Sequence, residues 1–170
     1  VGQPGTPAPK IAKDFITNEI NKNNLGYTVS LGLPALRTKI SKLYGNWYNL
    51  DLNPNRIVVT TGSSGAFILS FSALFDSGDR VGIGSPSYPS YRQILKSLSL
   101  ETVDIQTKLQ NRFQPVPEDI TDNNLNGILV ASPANPTGSM LDKQSLDNLI
   151  NTANENNVSF ISDEIYHVIQ

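Results

Sequence analysis

The chain has 170 residues, 38% of them hydrophobic, which is enough for one domain with a packed core. Its net charge of −2 offers no basic surface for nucleic acid, and with no Cys and one His we expect neither disulfides nor a metal site. No apolar run nears the roughly 20 residues that span a bilayer, and the N-terminus lacks a signal-peptide pattern. We therefore expect a cytoplasmic protein with no nucleic-acid or membrane partner.

Helical and strand patterns alternate along the chain. Apolar residues at helical spacing predict two helices, at 11–20 and 36–47. Strands are predicted at 56–60, 81–84, 102–105, 127–131 and 158–161, and helices at 64–75, 87–98 and 142–155. Strands joined by helical crossovers indicate an α/β fold, with a mostly parallel sheet covered by helices on both faces.

Polar clusters follow four of the predicted strands, at residues 60–66, 85–91, 135–138 and 163–166. If the strands are parallel, these clusters meet at the carboxyl edge of the sheet, where open α/β sheets bind their ligands. The sequence therefore predicts a binding site at this edge.

The first two clusters suggest an anion and a planar ring. Gly62, Ser63 and Ser64 open a helix, where free N–H groups favour an anion, although an ordinary turn with a Ser N-cap is the alternative. Tyr88 lies between two prolines and could stack on a planar ring, or it could be a plain core or surface aromatic. Tyr91 fits the apolar face of the next helix and is expected in the core.

The last two clusters offer an amide and a carboxylate. Asn135 is held extended by Pro136 and could donate its amide to a ligand oxygen, or could simply cap a turn. Asp163 ends an apolar strand, and a shielded carboxylate needs a partner such as a protonated ring nitrogen or a backbone N–H of the next turn. Glu164 and His167 are given no role.

Two of these segments together resemble a known family. Residues 132–138, Ser-Pro-Ala-Asn-Pro-Thr-Gly, and residues 162–166, Ser-Asp-Glu-Ile-Tyr, are similar to the cofactor-ring site of class I/II aminotransferases. These are fold-type I enzymes that use pyridoxal 5′-phosphate. The resemblance implies that the chain is part of their large cofactor-binding domain.

The resemblance also implies roles for individual residues. Gly62, Ser63 and Ser64 would hold the cofactor phosphate, and Tyr88 would stack on the pyridine ring. Asp163 would contact the pyridinium nitrogen, which keeps the ring an electron sink. Tyr166 and Asn135 would donate to the phenolic oxygen, and Asn135 would also help to hold the substrate carboxylate.

Two upstream segments resemble the family less strongly. Residues 26–28 and 32–37 match a segment whose tyrosine reaches the phosphate of the neighbouring subunit, so Tyr27 is expected to act from the partner subunit of a homodimer. Arg37 in this segment is expected to be a structural or interface charge. Gly2 is similar to a family glycine near the substrate carboxylate.

In the family, the lysine that bonds covalently to the cofactor follows the Asp-Glu-x-Tyr motif, and here no lysine follows Asp163. We therefore expect no catalytic residue within these 170 residues and no activity from them alone. The expected organisation is an N-terminal arm and helix over 1–25 and an incomplete cofactor domain over 26–170.

The expected function is transfer of an amino group between an amino acid and a 2-oxo acid. A pyridoxal-phosphate β-lyase that cleaves C–S bonds shares these motifs and is the first alternative. A transcription regulator with an aminotransferase-like sensor domain is a second, although residues 1–10 contain no trace of a basic winged-helix segment. A nucleotide-binding module ranks last, because Gly-x-Gly-x-x-Gly is absent after the first predicted strand.

Overall fold

The computed structural model describes residues 5–22 and 26–167. The backbone forms two units, Val1–Val59 and Thr60–Gln170. In the part of the chain that is described, no helix is long and apolar enough to cross a membrane.

The first unit contains the two helices predicted at the start of the chain. Helix α1 spans Lys10–Ile20, and helix α2 spans Pro34–Tyr48 with its proline in the first turn. Proline is favoured there because its missing N–H has no intrahelical acceptor anyway. The apolar residues that predicted α1 are on its surface, with Ile11 81% and Phe15 64% exposed.

Arg37 on α2 is the buried side chain of that helix. Its Nε donates to the carbonyl oxygens of Pro54 and Ile57, at 3.1 and 3.0 Å. Its Nη2 donates to Pro54 O at 2.8 Å and to Asn55 Oδ1 at 3.0 Å. A buried charge loses its hydration and needs hydrogen bonds in its place, which these acceptors provide. The prediction of a structural role for Arg37 is therefore confirmed.

The strand predicted at residues 56–60 is wrong. Pro54–Arg56 form a short 3-10 helix that is capped by Asn53, and Ile57 is extended without belonging to a strand. Val59 N donates to Leu31 O at 3.0 Å, but a single backbone hydrogen bond does not form a β-ladder. The β-branched residues favour extended backbone, whereas a strand also requires a neighbour to pair with.

The second unit is built on a parallel sheet of four strands in the order β2-β1-β3-β4. Its strands are β1 Arg80–Ser85, β2 Glu101–Gln106, β3 Gly127–Ala131 and β4 Ser159–Asp163. Strand β4 extends two residues beyond the predicted segment, so Asp163 is its last residue and pairs with Ala131 of β3. The predicted fold class, a parallel α/β sheet, is confirmed.

Helices cover both faces of this sheet. Helices α3 (Gly62–Leu74) and α4 (Pro89–Ser97) pack on one face through a core of Phe71, Tyr91 and Leu95 with Ile83 and Leu129 of the strands. The opposite face packs against α6 (Lys143–Glu155) and against α5 (Pro117–Thr121), which the sequence analysis missed. Ile128 and Val130 of β3 point to this second core while Leu129 points to the first, because side chains alternate along a strand.

Candidate active site

The order of the strands creates a crevice at the carboxyl edge of the sheet. The chain passes from β1 through α4 to β2, then returns across β1 to β3 and continues to β4. The loops after β1 and β3 therefore diverge to opposite faces, and ligands of open α/β sheets bind at such switch points. A cavity between these loops is lined by Gly84, Pro86 and Tyr91 on one side and by Ala131 and Asn135 on the other.

Asp163 lies at the carboxyl end of β4 and is only 8% exposed. Its Oδ1 accepts the backbone N–H of Ile165 at 3.1 Å, so the carboxylate caps the following turn, as one of the sequence interpretations expected. Its Oδ2 accepts the hydroxyl of Tyr91. Each carboxylate oxygen can accept two hydrogen bonds, so a further donor such as a ring N–H can still be accommodated.

Tyr91 belongs to this site, although the sequence predicted it only as a core residue. It is 2% exposed, as expected of the apolar face of α4, but its hydroxyl is directed to Asp163. Burial, reinforced by the hydrogen bond from the phenol to Asp163, raises the pKa of Tyr91 far above its ordinary value. The phenol consequently remains a hydrogen-bond donor throughout the physiological pH range.

Tyr88 is the residue immediately before α4 and is 38% exposed. Its ring meets the ring of Tyr91 edge to face, with the centroids 5.6 Å apart and the planes at 79°. Pro89 at the first position of α4 fixes the backbone where the chain turns into the helix. Tyr88 thus presents a partly exposed aromatic ring that packs against the buried ring of Tyr91.

Asn135 lies in a closed turn after β3. Gly138 N donates to Ala134 O at 2.7 Å, and Ala134 N donates to Ser139 O at 2.9 Å. Gly138 has φ +67°, a left-handed conformation that glycine adopts without a steric penalty. An open depression beside this turn is lined by Asn135 together with Tyr166 of the turn after β4.

Gln114 anchors the Asn135 turn and was not identified from the sequence. Its side chain is 3% exposed, and its Nε2 donates to Ala131 O at 3.1 Å and to Ser139 O at 3.0 Å. These two acceptors lie on either side of the turn, so one amide group ties its two ends together. No pattern of apolar residues reveals such a contact, because it depends on where the preceding loop passes.

We expect Gln114→Ala to lower the free energy of unfolding by about 1–3 kcal/mol, since it removes a buried amide that bonds the Ala131 and Ser139 carbonyls and leaves Ala131 O without this donor. The same substitution at Gln110, which is exposed four residues earlier, is the matched control and should change stability by less than about 0.5 kcal/mol. Urea unfolding of both variants measures the difference. Equal effects at the two positions would show that the amide does not hold the turn.

Helix α3 begins at Gly62, whose φ is +79°. Thr61 at the N-cap makes no side-chain hydrogen bond to the first turn, and Ser63 and Ser64 are exposed there. The Gly62 N–H donates to Thr60 O at 2.9 Å, whereas the following N–H groups of a first turn have no intrahelical acceptor. Those groups and the positive end of the helix dipole favour an anion. From this helix Phe67 reaches the ring of Tyr91, with the centroids 5.2 Å apart.

The structure does not test two further residues that were expected to act in the site. Tyr27 belongs to the first unit and is fully exposed, which leaves its predicted action on a partner subunit untested. Gly2 lies outside the described residues.

The site has the donors and acceptors that pyridoxal phosphate requires. Asp163 offers a buried carboxylate for a pyridinium nitrogen, and Tyr88 offers an aromatic surface for the ring. Asn135 and Tyr166 offer polar groups in one depression, and the start of α3 offers free N–H groups to a phosphate. The residues present therefore fit this cofactor.

Comparison with known proteins decides the family. The family profile described as aminotransferase class I and II matches residues 1–169. The chain belongs to this family. Aminotransferases of class I and II use pyridoxal phosphate, in agreement with the fit of the site.

Two curated aminotransferases and one solved aminotransferase structure illustrate the similarity. The valine–pyruvate aminotransferase of Mycobacterium tuberculosis is 43% identical over 168 residues, which cover 98% of this chain and 43% of that protein. A probable aspartate aminotransferase of Methanocaldococcus jannaschii is 32% identical over 99% of this chain and 45% of its own length. The crystal structure of an aminotransferase from Mycobacterium tuberculosis has a TM-score of 0.95 at 42% identity, covering 98% of this chain and 46% of that one.

The chain thus spans less than half of the length of the curated aminotransferases that it matches. These relatives are named as aminotransferases, which does not favour the β-lyase alternative.

Proposed function

We propose that the protein containing this chain transfers an amino group between an amino acid and a 2-oxo acid with pyridoxal phosphate. The observation that carries the proposal is the buried Asp163 carboxylate at the end of β4. Asp163 pairs with Ala131 at the end of β3, where the segment with Asn135 begins, and Tyr166 follows three residues later. Family membership supports the reaction class.

In this proposal each residue has a distinct task. Bound pyridoxal phosphate supplies an electron sink for the electrons released when a substrate loses its α-proton. Asp163 pairs with the ring nitrogen and keeps it protonated, because a nearby negative charge favours the protonated form. Tyr88 stacks on the ring and orients it.

The remaining residues fix the edges of the cofactor and the substrate. Asn135 and Tyr166 donate to the phenolic oxygen, and Asn135 acts with Gly2 on the substrate carboxylate. The start of α3, with Gly62, Ser63 and Ser64, holds the phosphate through N–H and hydroxyl groups. Tyr27 of the partner subunit reaches the same phosphate in a cytoplasmic homodimer.

The test is an assay of the complete protein with pyridoxal phosphate. The relative named for valine and pyruvate makes these two the first substrates to try. We expect alanine and the 2-oxo acid of valine to form in equal amounts. Release of ammonia and thiol from a sulfur-substituted amino acid, without amino transfer, would instead support the β-lyase alternative.

The 170 residues as a separate polypeptide should not transaminate, because none of their lysines follows Asp163. Loss of a general acid–base group alone costs about 10²–10⁴ in rate, and here the covalent link is lost as well. The polypeptide is mixed with pyridoxal phosphate, reduced with borohydride and digested. A reduced adduct at one unique lysine, together with turnover, would contradict this expectation.

A further inference from the structure

Tyr91 connects three elements that meet at the cofactor site. Its hydroxyl donates to Asp163 at the end of β4, and its ring contacts Tyr88 before α4 and Phe67 in α3 edge to face. The residue is 2% exposed and lines the cavity between the loops after β1 and β3, so it forms part of the floor of the site. All four residues belong to the second unit.

We infer that Tyr91 is a positioning residue of the cofactor site, which orients the Asp163 carboxylate through its hydroxyl and supports Tyr88 through its ring. The inference rests on the proposed function, in which Asp163 contacts the pyridine nitrogen and Tyr88 stacks on the ring. At 2% exposure Tyr91 offers almost no surface to a ligand, so it acts through Asp163 and Tyr88.

The hydroxyl restrains the carboxylate from one side while the backbone restrains it from the other. Tyr91 occupies Oδ2 and the N–H of Ile165 occupies Oδ1, so rotation of the carboxylate breaks at least one hydrogen bond. Both bonds have a charged acceptor, which makes them stronger than bonds between neutral groups. The remaining lone pairs of Asp163 therefore keep a fixed direction toward a donor in the site.

A role as proton donor in catalysis does not fit Tyr91. Burial and the hydrogen bond to Asp163 raise its pKa far above the ordinary value, so the phenol does not ionise near neutral pH. A permanently protonated phenol is instead suited to hold one geometry through every step. This distinguishes a positioning role from general acid–base work, which is most efficient at a pKa near the working pH.

The ring and the hydroxyl can be tested separately in the complete protein. Tyr91→Phe keeps the contacts with Tyr88 and Phe67 and removes only the bond to Asp163. Tyr91→Leu removes both. Tyr44→Phe, a half-buried tyrosine on α2 in the first unit, is the matched control for loss of a phenolic hydroxyl.

The first measurement is the dissociation constant of pyridoxal phosphate, followed by absorbance. We expect an increase of roughly tenfold for Tyr91→Phe, because the bond that is lost has a charged acceptor, and a larger increase for Tyr91→Leu. The pH at which the absorbance of the bound cofactor changes should also shift in Tyr91→Phe. A residue with a merely structural role would leave that pH midpoint unchanged, and so should Tyr44→Phe.

The second measurement is a crystal structure of cofactor-free Tyr91→Phe, in which we expect Asp163 to change its rotamer while Tyr88 keeps its place. If wild type binds no cofactor, the proposed function fails, and this structure then decides only whether the Tyr91 hydroxyl orients the Asp163 carboxylate. Dissociation constants within twofold of wild type, with Asp163 unmoved, would overturn the inference. If Tyr91→Leu does not fold, the isosteric Tyr91→Phe still gives both results.

Discussion

Asp163→Asn in the complete protein is expected to lower the rate of amino transfer by on the order of 10²–10³-fold, the effect of removing one preorganised electrostatic partner. Asparagine has nearly the shape of aspartate but no negative charge, so it cannot favour a protonated ring nitrogen. Steady-state rates with saturating cofactor measure this loss. Because the proposed function assigns the cofactor phosphate to the start of α3 and not to Asp163, the affinity for the cofactor should fall less than the rate.

Glu164→Gln is the matched control for this variant. Glu164 is the next residue in the chain, and its exposed carboxylate accepts the hydroxyl of Ser162 at 3.0 Å. Glu164→Gln therefore removes one negative charge, as Asp163→Asn does, but at a side chain outside the site. We expect its rate to stay within about twofold of wild type, since exposed charges are strongly screened. Similar losses in both variants would show that the loss reflects net charge and not contact with the ring.

The asparagine variant also needs a check of its fold. Asp163 accepts from both Tyr91 and the N–H of Ile165, whereas an amide has a single acceptor oxygen. One of these donors therefore loses its acceptor, and some loss of stability is expected. Thermal unfolding of Asp163→Asn separates this loss from the effect on rate.

The parts of the fold that could be predicted from the sequence are those fixed by local patterns. Strand β3 was predicted with its observed ends, Gly127–Ala131, because a short apolar run with both faces covered is typical of a parallel strand. Helix α5 was missed although its sequence carries a signal. Pro117 begins the helix, and the Asp119 carboxylate accepts the N–H of Val116 at 2.8 Å.

The features that the sequence did not predict depend on contacts between segments that are far apart in the chain. Residues 56–60 favour extended backbone, but no local pattern tells whether a neighbouring strand is present to pair with them. Tyr91 was placed correctly on the buried face of α4, yet helical periodicity says nothing about a hydroxyl that meets a carboxylate 72 positions later. Gln114 was missed for the same reason, since its acceptors lie at the end of β3 and in the turn that follows it.

Phe71→Ala is expected to lower the free energy of unfolding by about 3–5 kcal/mol, because truncation of a buried phenylalanine leaves a cavity that the structure fills only in part. Phe71 is 0% exposed on α3, and its ring lies 5.9 Å from that of Phe67 and 6.2 Å from that of Phe75. Urea unfolding of the complete protein measures the loss. Leu109→Ala, at a position that is 76% exposed, serves as the control and should cost less than about 0.5 kcal/mol.

The same variant tests whether the core supports the site. Phe71 holds α3 on the sheet one turn after Phe67, and Phe67 is the residue of this helix that contacts Tyr91. A cavity at Phe71 should therefore loosen the start of α3, and cofactor affinity should fall even at temperatures where the variant is fully folded. The free energy of unfolding could instead fall by several kcal/mol while the dissociation constant of pyridoxal phosphate stays unchanged. That result would show that the position of the first turn of α3 does not depend on the packing of Phe71.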